Sequence, residues 1–224
     1  MTGVQTCALP IWVRLSAEEI RDQALTVSGL LYDSLFGPPV MPWQPAGIWH
    51  SPYSSDQWTT SPGKNQYRRA LYTFWKRSSP YPSMITFDGA SREVCTARRI
   101  RTNTPLQALV LLNDSVYTEA ARYFAFRMME GAAGEWRQRS DGQAGGVDAV
   151  ISKGYELLMY KPLEPRKLEI LKQLYDRAYA KFRKDAYATC EMVGAPGVHD
   201  NPETAAYVVV AEALLNLDEV ITKS

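Results

Sequence analysis

Seven arginines crowd into one short stretch of this chain: Arg68, Arg69, Arg77, Arg92, Arg98, Arg99 and Arg101. With Lys64 and Lys76 they make nine basic groups against two acids, Asp88 and Glu93, a local balance of +7. The overall charge is +1, so the rest of the chain carries −6. A guanidinium is a planar fork that pairs in an ordered way with carboxylate, phosphate or sulfate. Just upstream stand Trp43, Trp49, Tyr53 and Trp58, rings that can stack on sugars or on guanidinium planes. Just downstream stand the polar Asn103, Gln107, Asn113 and Asp114. Two readings follow. One is a binding site for an anionic or sugar-like ligand, built from Arg68, Arg69, Arg77, Asp88, Arg92, Glu93, Arg98, Arg99, Asn103, Gln107, Asn113, Asp114, Trp43 and Trp49. The other, simpler one is an internal network, with the arginines on Asp88, Glu93, Asp114, Glu119 and helix C-terminal carbonyls.

Other chemistry is thin. Asp88 and Glu93 could form a glycosidase-like carboxylate pair. Arginines around them suit a salt bridge or a nucleophile better than a general acid. His50 and His199 are the only histidines, and neither sits in a metal or base motif. There is no P-loop, no G-x-S-x-G and no G-x-G-x-x-G. Asn113-Asp114 reads as a helix break and recap, not as a metal site.

The elements that would carry these groups are mostly helical. Ser16-x-x-Glu19 is a capping box, and apolar spacing from Ala17 to Leu31 gives the helical period. From Leu35 to Gly63, six prolines among tryptophans and tyrosines predict an ordered irregular loop over the body. Residues 65–77 read as a helix capped by Asn65, with a strand as the competing reading because Tyr, Thr, Phe and Trp favour it. Met84 to Phe87 reads as a short strand. Thr104-Pro-Leu-Gln107 is a second capping box, and Asp114 caps a long helix that Gly131 should stop. A polar, Gly-rich loop at 131–146 is a candidate sub-boundary. Helices follow at about 147–160 and 164–184, then a loop at 189–200, then a helix capped by Asn201. The predicted fold is mainly α: an irregular helical domain with a long ordered Pro/Trp-rich loop and little or no β.

Composition narrows the classes. Hydrophobic residues make up 46% of the 224 residues, which excludes wholesale disorder. A near-neutral net charge argues against a nucleic-acid partner. No apolar run is long enough to span a membrane. The opening, Met1 to Ile11, resembles translated sequencing-adapter read-through, so residues 1–12 are expected to be a non-native arm and 13–224 a single helical domain. Cys95 and Cys190 could pair in an oxidising compartment, or remain as two buried thiols. No C-x-x-C-H occurs, so no haem c attaches to this segment.

The motifs together resemble a known family. They are Tyr67-Arg-Arg-Ala-Leu-Tyr-Thr-Phe-Trp-Lys-Arg77, Phe87-Asp88, Arg92-Glu93 with Cys95, Arg98-Arg99, and Thr102-Asn-Thr-Pro-Leu-Gln-Ala-Leu-Val-Leu-Leu-Asn-Asp114. Tyr160-Lys-Pro162 and Leu214-Leu-Asn-Leu-Asp-Glu219 extend the match. The pattern is similar to the domain-of-unknown-function 1553 family, a planctomycete module of large proteins with cytochrome-c-like domains. Two positions depart: Phe36-Gly37-Pro38 stands for a Gly-Gly-Pro turn, and Lys161-Pro162 for Arg-Pro. The resemblance implies a C-terminal module of an exported bacterial protein, periplasmic or at the cell surface. It implies haem c only in an upstream domain, and that domain with its companion as partners. It brings no established activity, and export makes a Cys95–Cys190 disulfide compatible with the compartment. The expected role is assembly or ligand binding without catalysis. The alternative is a module that recognises anionic polysaccharide through arginines and aromatic rings.

Overall fold

The computed structural model describes residues 13–47, 57–138, 146–194 and 200–223. The fold is mainly α. Two short strands, β1 (Val13–Arg14) and β2 (Thr222–Lys223), pair antiparallel and join the two ends of the described chain. Between them lie α1 (Ala17–Ser28), α2 (Pro82–Thr86), α3 (Pro105–Asn113), α4 (Ser115–Gln138), α5 (Val147–Met159), α6 (Pro165–Phe182), α7 (Ala186–Val193), α8 (Pro202–Leu215) and α9 (Asp218–Ile221). Among the described residues, no helix is long and apolar enough to cross a membrane.

α8 is the centre of the larger core. Its residues Ala205, Ala206, Val208, Val210, Ala211 and Leu214 are fully buried, which a helix apolar on all sides requires. It packs between α4 and α6, and Phe124, Met128, Ile151 and Tyr155 close the core. A second, smaller core forms from Ile20 and Ala24 of α1, Met84 of α2, Phe87, Leu111 of α3, and Tyr117 and Ala120 of α4. α4 therefore serves both cores. Its 24 residues run about 36 Å, enough to reach from one to the other.

Local signals explain where several helices begin and end. Glu19 N–H donates to Ser16 Oγ at 3.3 Å, and Ser16 N–H donates to Glu19 Oε2 at 2.7 Å, completing the capping box of α1. α1 ends earlier than its apolar period suggests, because Gly29 adopts φ 78° and caps it. Asp114 accepts from Val116 N–H at 2.9 Å and starts α4, as expected. Arginines close two other helix ends. Arg127 donates to the carbonyls of Thr26 and Val27 at the end of α1, and Arg122 donates to those of Glu191 and Met192 at the end of α7.

Four local expectations are corrected. Residues 65–77 form neither a helix nor a strand: 3-10 turns at Gly63–Tyr67 and Ala70–Tyr72 alternate with single bridges to the loop. The loop wins these backbone groups, since Val40 N–H donates to Tyr72 O at 2.8 Å and Phe74 N–H to Val40 O at 2.7 Å. Asn65 accordingly lies inside a turn and caps nothing. Met84 to Phe87 is not a strand, because Pro82 opens α2 there. Gly131 does not stop α4, which continues to Gln138; a mid-helix glycine costs only about 1 kcal/mol, and buried Ala132 offsets it. Part of the expected 189–200 loop is α7, capped by Asp185 at one end and by Gly194 with φ 67° at the other. Of the proposed sub-boundary, residues 139–145 lie outside the described residues. So do residues 1–12 and the two histidines.

Glu212 of α8 supplies a pH test. Burial pushes its carboxyl up to about 7, although the nearby Arg122 favours the charged form. Its ordinary value is 4.5, so the folded state holds the proton more tightly than the unfolded chain. Its effect on stability should therefore worsen as pH rises from about 4.5 to about 7. Glu212→Gln is expected to flatten this part of the stability–pH curve and to raise the melting temperature at pH 8. Equal melting temperatures for the two proteins at pH 5 and at pH 8 would contradict this.

Candidate functional site

The arginine-rich segment divides into an inner and an outer set. Arg68 is inner, with 4% of its surface exposed. Its guanidinium donates to the carbonyls of Ser34 at 2.8 Å, Pro38 at 3.1 Å and Phe36, and lies 3.8 Å from the centre of the Tyr72 ring. It ties the start of the Pro/Trp-rich loop to the body. Desolvating a guanidinium is costly unless its donors are met, and here the loop carbonyls meet them.

Asp88 and Gln107 form the second inner feature. Gln107 is 1% exposed. Its amide N–H donates to Thr86 O at 2.9 Å and to Asp88 Oδ2 at 3.1 Å, and its Oε1 accepts from Thr104 N–H at 3.2 Å. Asp88 Oδ2 also accepts from Thr102 N–H at 2.7 Å and Thr102 Oγ1 at 2.8 Å. Asp88 sits at φ 60°, a left-handed conformation that Asp tolerates better than most residues. Gly89 follows because a Cβ there would lie 2.6 Å from the Met84 carbonyl oxygen. Asp88 is therefore a strut held by neutral donors. Among the described residues it makes no ion pair with an arginine, although its charge favours the charged form of Arg14, and Glu93 is simply exposed.

From this node the chain runs outward as a strap, residues 92–103, exposed throughout. Arg101 donates to the Arg14 carbonyl at 2.6 Å, and Asn103 bridges Arg14 Nη1 at 2.6 Å and Asp218 at 3.2 Å. Arg99 meets both oxygens of Glu18 at 2.8 Å. Arg92 lies 5.2 Å from the Trp75 ring centre. The strap and α1 enclose a groove of about 930 Å³. Arg14, Arg69, Arg98, Arg99 and Arg101 line it, opposed by Glu18, Glu19 and Asp22, with Leu71 and Ile100 beside them.

The carboxylates of the groove are engaged. Asp22 accepts from Ala70 N–H at 2.6 Å and from Arg69 at 3.4 Å. Burial opposes ionisation of Glu19, but hydrogen bonds from Lys223 and Ser16 outweigh it and pull its carboxyl down to about 2. Arg98 lines the groove with no carboxylate partner among the described residues. The surplus is therefore cationic, and the groove suits an anion.

The expected partners of the arginines are corrected. The acids are Glu18, Glu19 and Asp22 of α1, while Asp114 caps α4 and Glu119 accepts from the Tyr67 hydroxyl at 2.8 Å. One signal was available: Glu18 and Asp22 are four residues apart, on one face of a helix. Two buried arginines, which extend the family resemblance in the sequence, stand outside the candidate site residues. Arg14 is 7% exposed with Nε and Nη2 unpartnered; Arg21 is 2% exposed with Nε and Nη1 unpartnered and Nη2 on Gln66 O at 2.9 Å. Neither lies in the arginine-rich segment, so local charge counting passes over them.

The remaining candidates do not join the groove. Arg77 is exposed elsewhere, and Asn113 donates to Leu109 O at 2.8 Å within α3. Trp43 lines a different cleft, with Trp58. Trp49 lies outside the described residues. Cys95 and Cys190 are both exposed and free, so neither the buried-thiol reading nor the disulfide holds here. Among the described residues, no group of three or more His, Cys, Asp and Glu could hold a metal ion.

Gln107→Leu keeps the side-chain volume and removes the amide. It strands the Thr86 carbonyl and the Thr104 N–H, at about 1–3 kcal/mol for each orphaned group. Urea unfolding is expected to show a lower midpoint with an unchanged slope. Trypsin is expected to cut faster at Arg98 and Arg99. A midpoint equal to wild type would show that the node does not hold the strap.

No curated protein matches the chain, and no solved structure matches it. One family model does, across residues 5–175, and it includes the Asp88–Gln107 node, the strap and every groove arginine. That span is well over half of the sequence, and the chain belongs to the PSD1 family, described as proteins of unknown function (DUF1553).

Proposed function

We propose that the chain is a non-catalytic binding and assembly module, and that its binding face is the arginine groove beside α1. One observation carries this reading. The strap that lines the groove is exposed, yet its root is fastened, because Asp88 ties Thr102 to the buried Gln107. Guanidinium groups on a fastened strap lose little freedom when they meet a partner, which favours binding. The carboxylate best placed for chemistry, Asp88, is instead a strut with three donors on one oxygen.

The sequence resemblance supplies the context. In this reading the module is the C-terminal part of a larger exported bacterial protein of planctomycete type, in the periplasm or at the cell surface. Its partners are the upstream cytochrome-c-like and companion domains of the same chain, and haem c belongs to the former. The resident cysteines do not fit a haem, since Cys95 and Cys190 are single thiols with no C-x-x-C-H between them. An acidic, partly apolar surface on an upstream domain would complement Arg98, Arg99, Leu71 and Ile100. The alternative, an anionic sugar read jointly by arginines and tryptophans, has less support. Among the described residues no tryptophan lines the groove and no arginine lines the tryptophan cleft.

Calorimetric titration of this chain with the upstream domains of the full-length protein tests the proposal. Saturable binding that weakens with salt is expected, and Arg98→Glu with Ile100→Asp should weaken it at least tenfold. Polygalacturonate, titrated in parallel, tests the alternative. Absence of binding to the upstream domains, or binding unmoved by the double variant, would overturn the assembly reading.

A further inference from the structure

A second cleft, of about 530 Å³, lies under the Pro/Trp-rich loop and is separate from the arginine groove. Its lining includes Trp43, Gln44, Gly47, Gln57, Trp58 and Thr60, and no charged residue among the described ones. One tyrosine supports both residues, Trp43 through its backbone and Trp58 through its ring. The Tyr81 hydroxyl donates to the Trp43 carbonyl at 2.8 Å, and the Trp58 ring stacks on Tyr81 at 5.6 Å and 26°. Tyr81 itself is 2% exposed, so this support is rigid. The Trp58 Nε1–H is engaged with the Pro42 carbonyl at 2.8 Å. Trp43 remains 40% exposed.

The unusual member is Gln44. It is 9% exposed, and its Oε1 has no hydrogen-bond partner. A shielded amide oxygen left unpaired costs stability, and native proteins rarely leave one without a reason. A partner for it must bring a donor.

We propose that this cleft binds a neutral sugar residue, with the C–H face of the ring against Trp43 and a hydroxyl donating to Gln44 Oε1. Aromatic walls with a few uncharged amide and hydroxyl groups match that ligand: apolar on one face and rich in donors at its edge. Among the described lining residues none is charged, so none would pair with the anionic group of a uronate or a sulfated sugar. A proline-rich peptide is the other ligand that aromatic clefts accept. Its exposed carbonyls need donors, whereas the Trp58 N–H is already engaged and the orphan here is an acceptor. The inference is independent of the arginine groove.

Intrinsic tryptophan fluorescence and calorimetry with cellohexaose, maltohexaose, mannohexaose and xylohexaose test it, with a proline-rich decapeptide in parallel. At least one oligosaccharide is expected to bind saturably and to shift the emission. Trp43→Ala should weaken that binding about tenfold or more, the range of one aromatic contact. Gln44→Leu, which removes the acceptor at similar size, should weaken it several-fold. Trp43→Phe should restore part of the loss, and matching melting curves would show that the variants fold. Arg98→Glu with Arg99→Glu should leave sugar binding unchanged, which separates this site from the groove. The proposal fails if none of the four sugars binds, if Trp43→Ala leaves binding unchanged, or if only the peptide binds.

Discussion

A buried amide holds the part of this protein that meets solvent. Gln107 sits inside the smaller core, and its two polar atoms reach the carbonyl of Thr86, the carboxylate of Asp88 and the amide of Thr104. Those three residues belong to α2, to the turn after it, and to the cap of α3. Removing the amide would orphan the Thr86 carbonyl and the Thr104 N–H and take one of three donors from Asp88, so this one side chain couples the three segments. The strap begins and ends at this node, through Asp88 and Thr102. Its arginines are exposed, but the position of the strap is set by a residue that is not.

Electrostatics then distribute the charge. A local excess of +7 on one segment would repel itself if it stayed together. The fold divides it. Arg68 is drawn into the loop carbonyls, Arg92 lies against Trp75, and Arg69, Arg99 and Arg101 meet the first turns of α1. Glu18 and Glu19 also sit in the first turn of α1, where the helix dipole favours them, so they stabilise the helix and the strap together. Each exposed pair is worth at most about 1 kcal/mol. The set matters for geometry more than for stability: among the described residues it leaves Arg98 and Arg14 in the groove without an ion pair.

The two cavities differ in kind for the same reason. The groove is charged because it lies where the strap crosses α1. The tryptophan cleft has no charged residue among its described lining, where prolines and aromatic residues dominate, and Tyr81 of the small core holds the Trp43 backbone and the Trp58 ring. One core thus positions an ionic surface on one side and an apolar, amide-bearing surface on another.

Much of the helical architecture was legible along the chain. Both capping boxes, the Asp114 and Asn201 caps, and the apolar runs of α5, α6 and α8 are short-range patterns, and short-range physics decides them. The mainly α class followed. The failures share a cause. Residues 65–77 have helical spacing and strand-prone types, yet hydrogen bonds from Val40 and Tyr32 in a distant loop hold them in turns. Gly131 should end a helix, yet packing carries α4 past it. The arginine-rich segment was identifiable as the unusual one, but its partners were not, because Glu18 and Asp22 lie far from it in sequence. Nor could charge counting separate Arg14 and Arg21, both buried, from surface arginines. By itself the sequence determined the helices, their caps and the concentration of guanidinium groups. Only the tertiary structure decided which of those groups are buried, which are paired and which face a ligand, because burial and pairing depend on residues that meet across the fold.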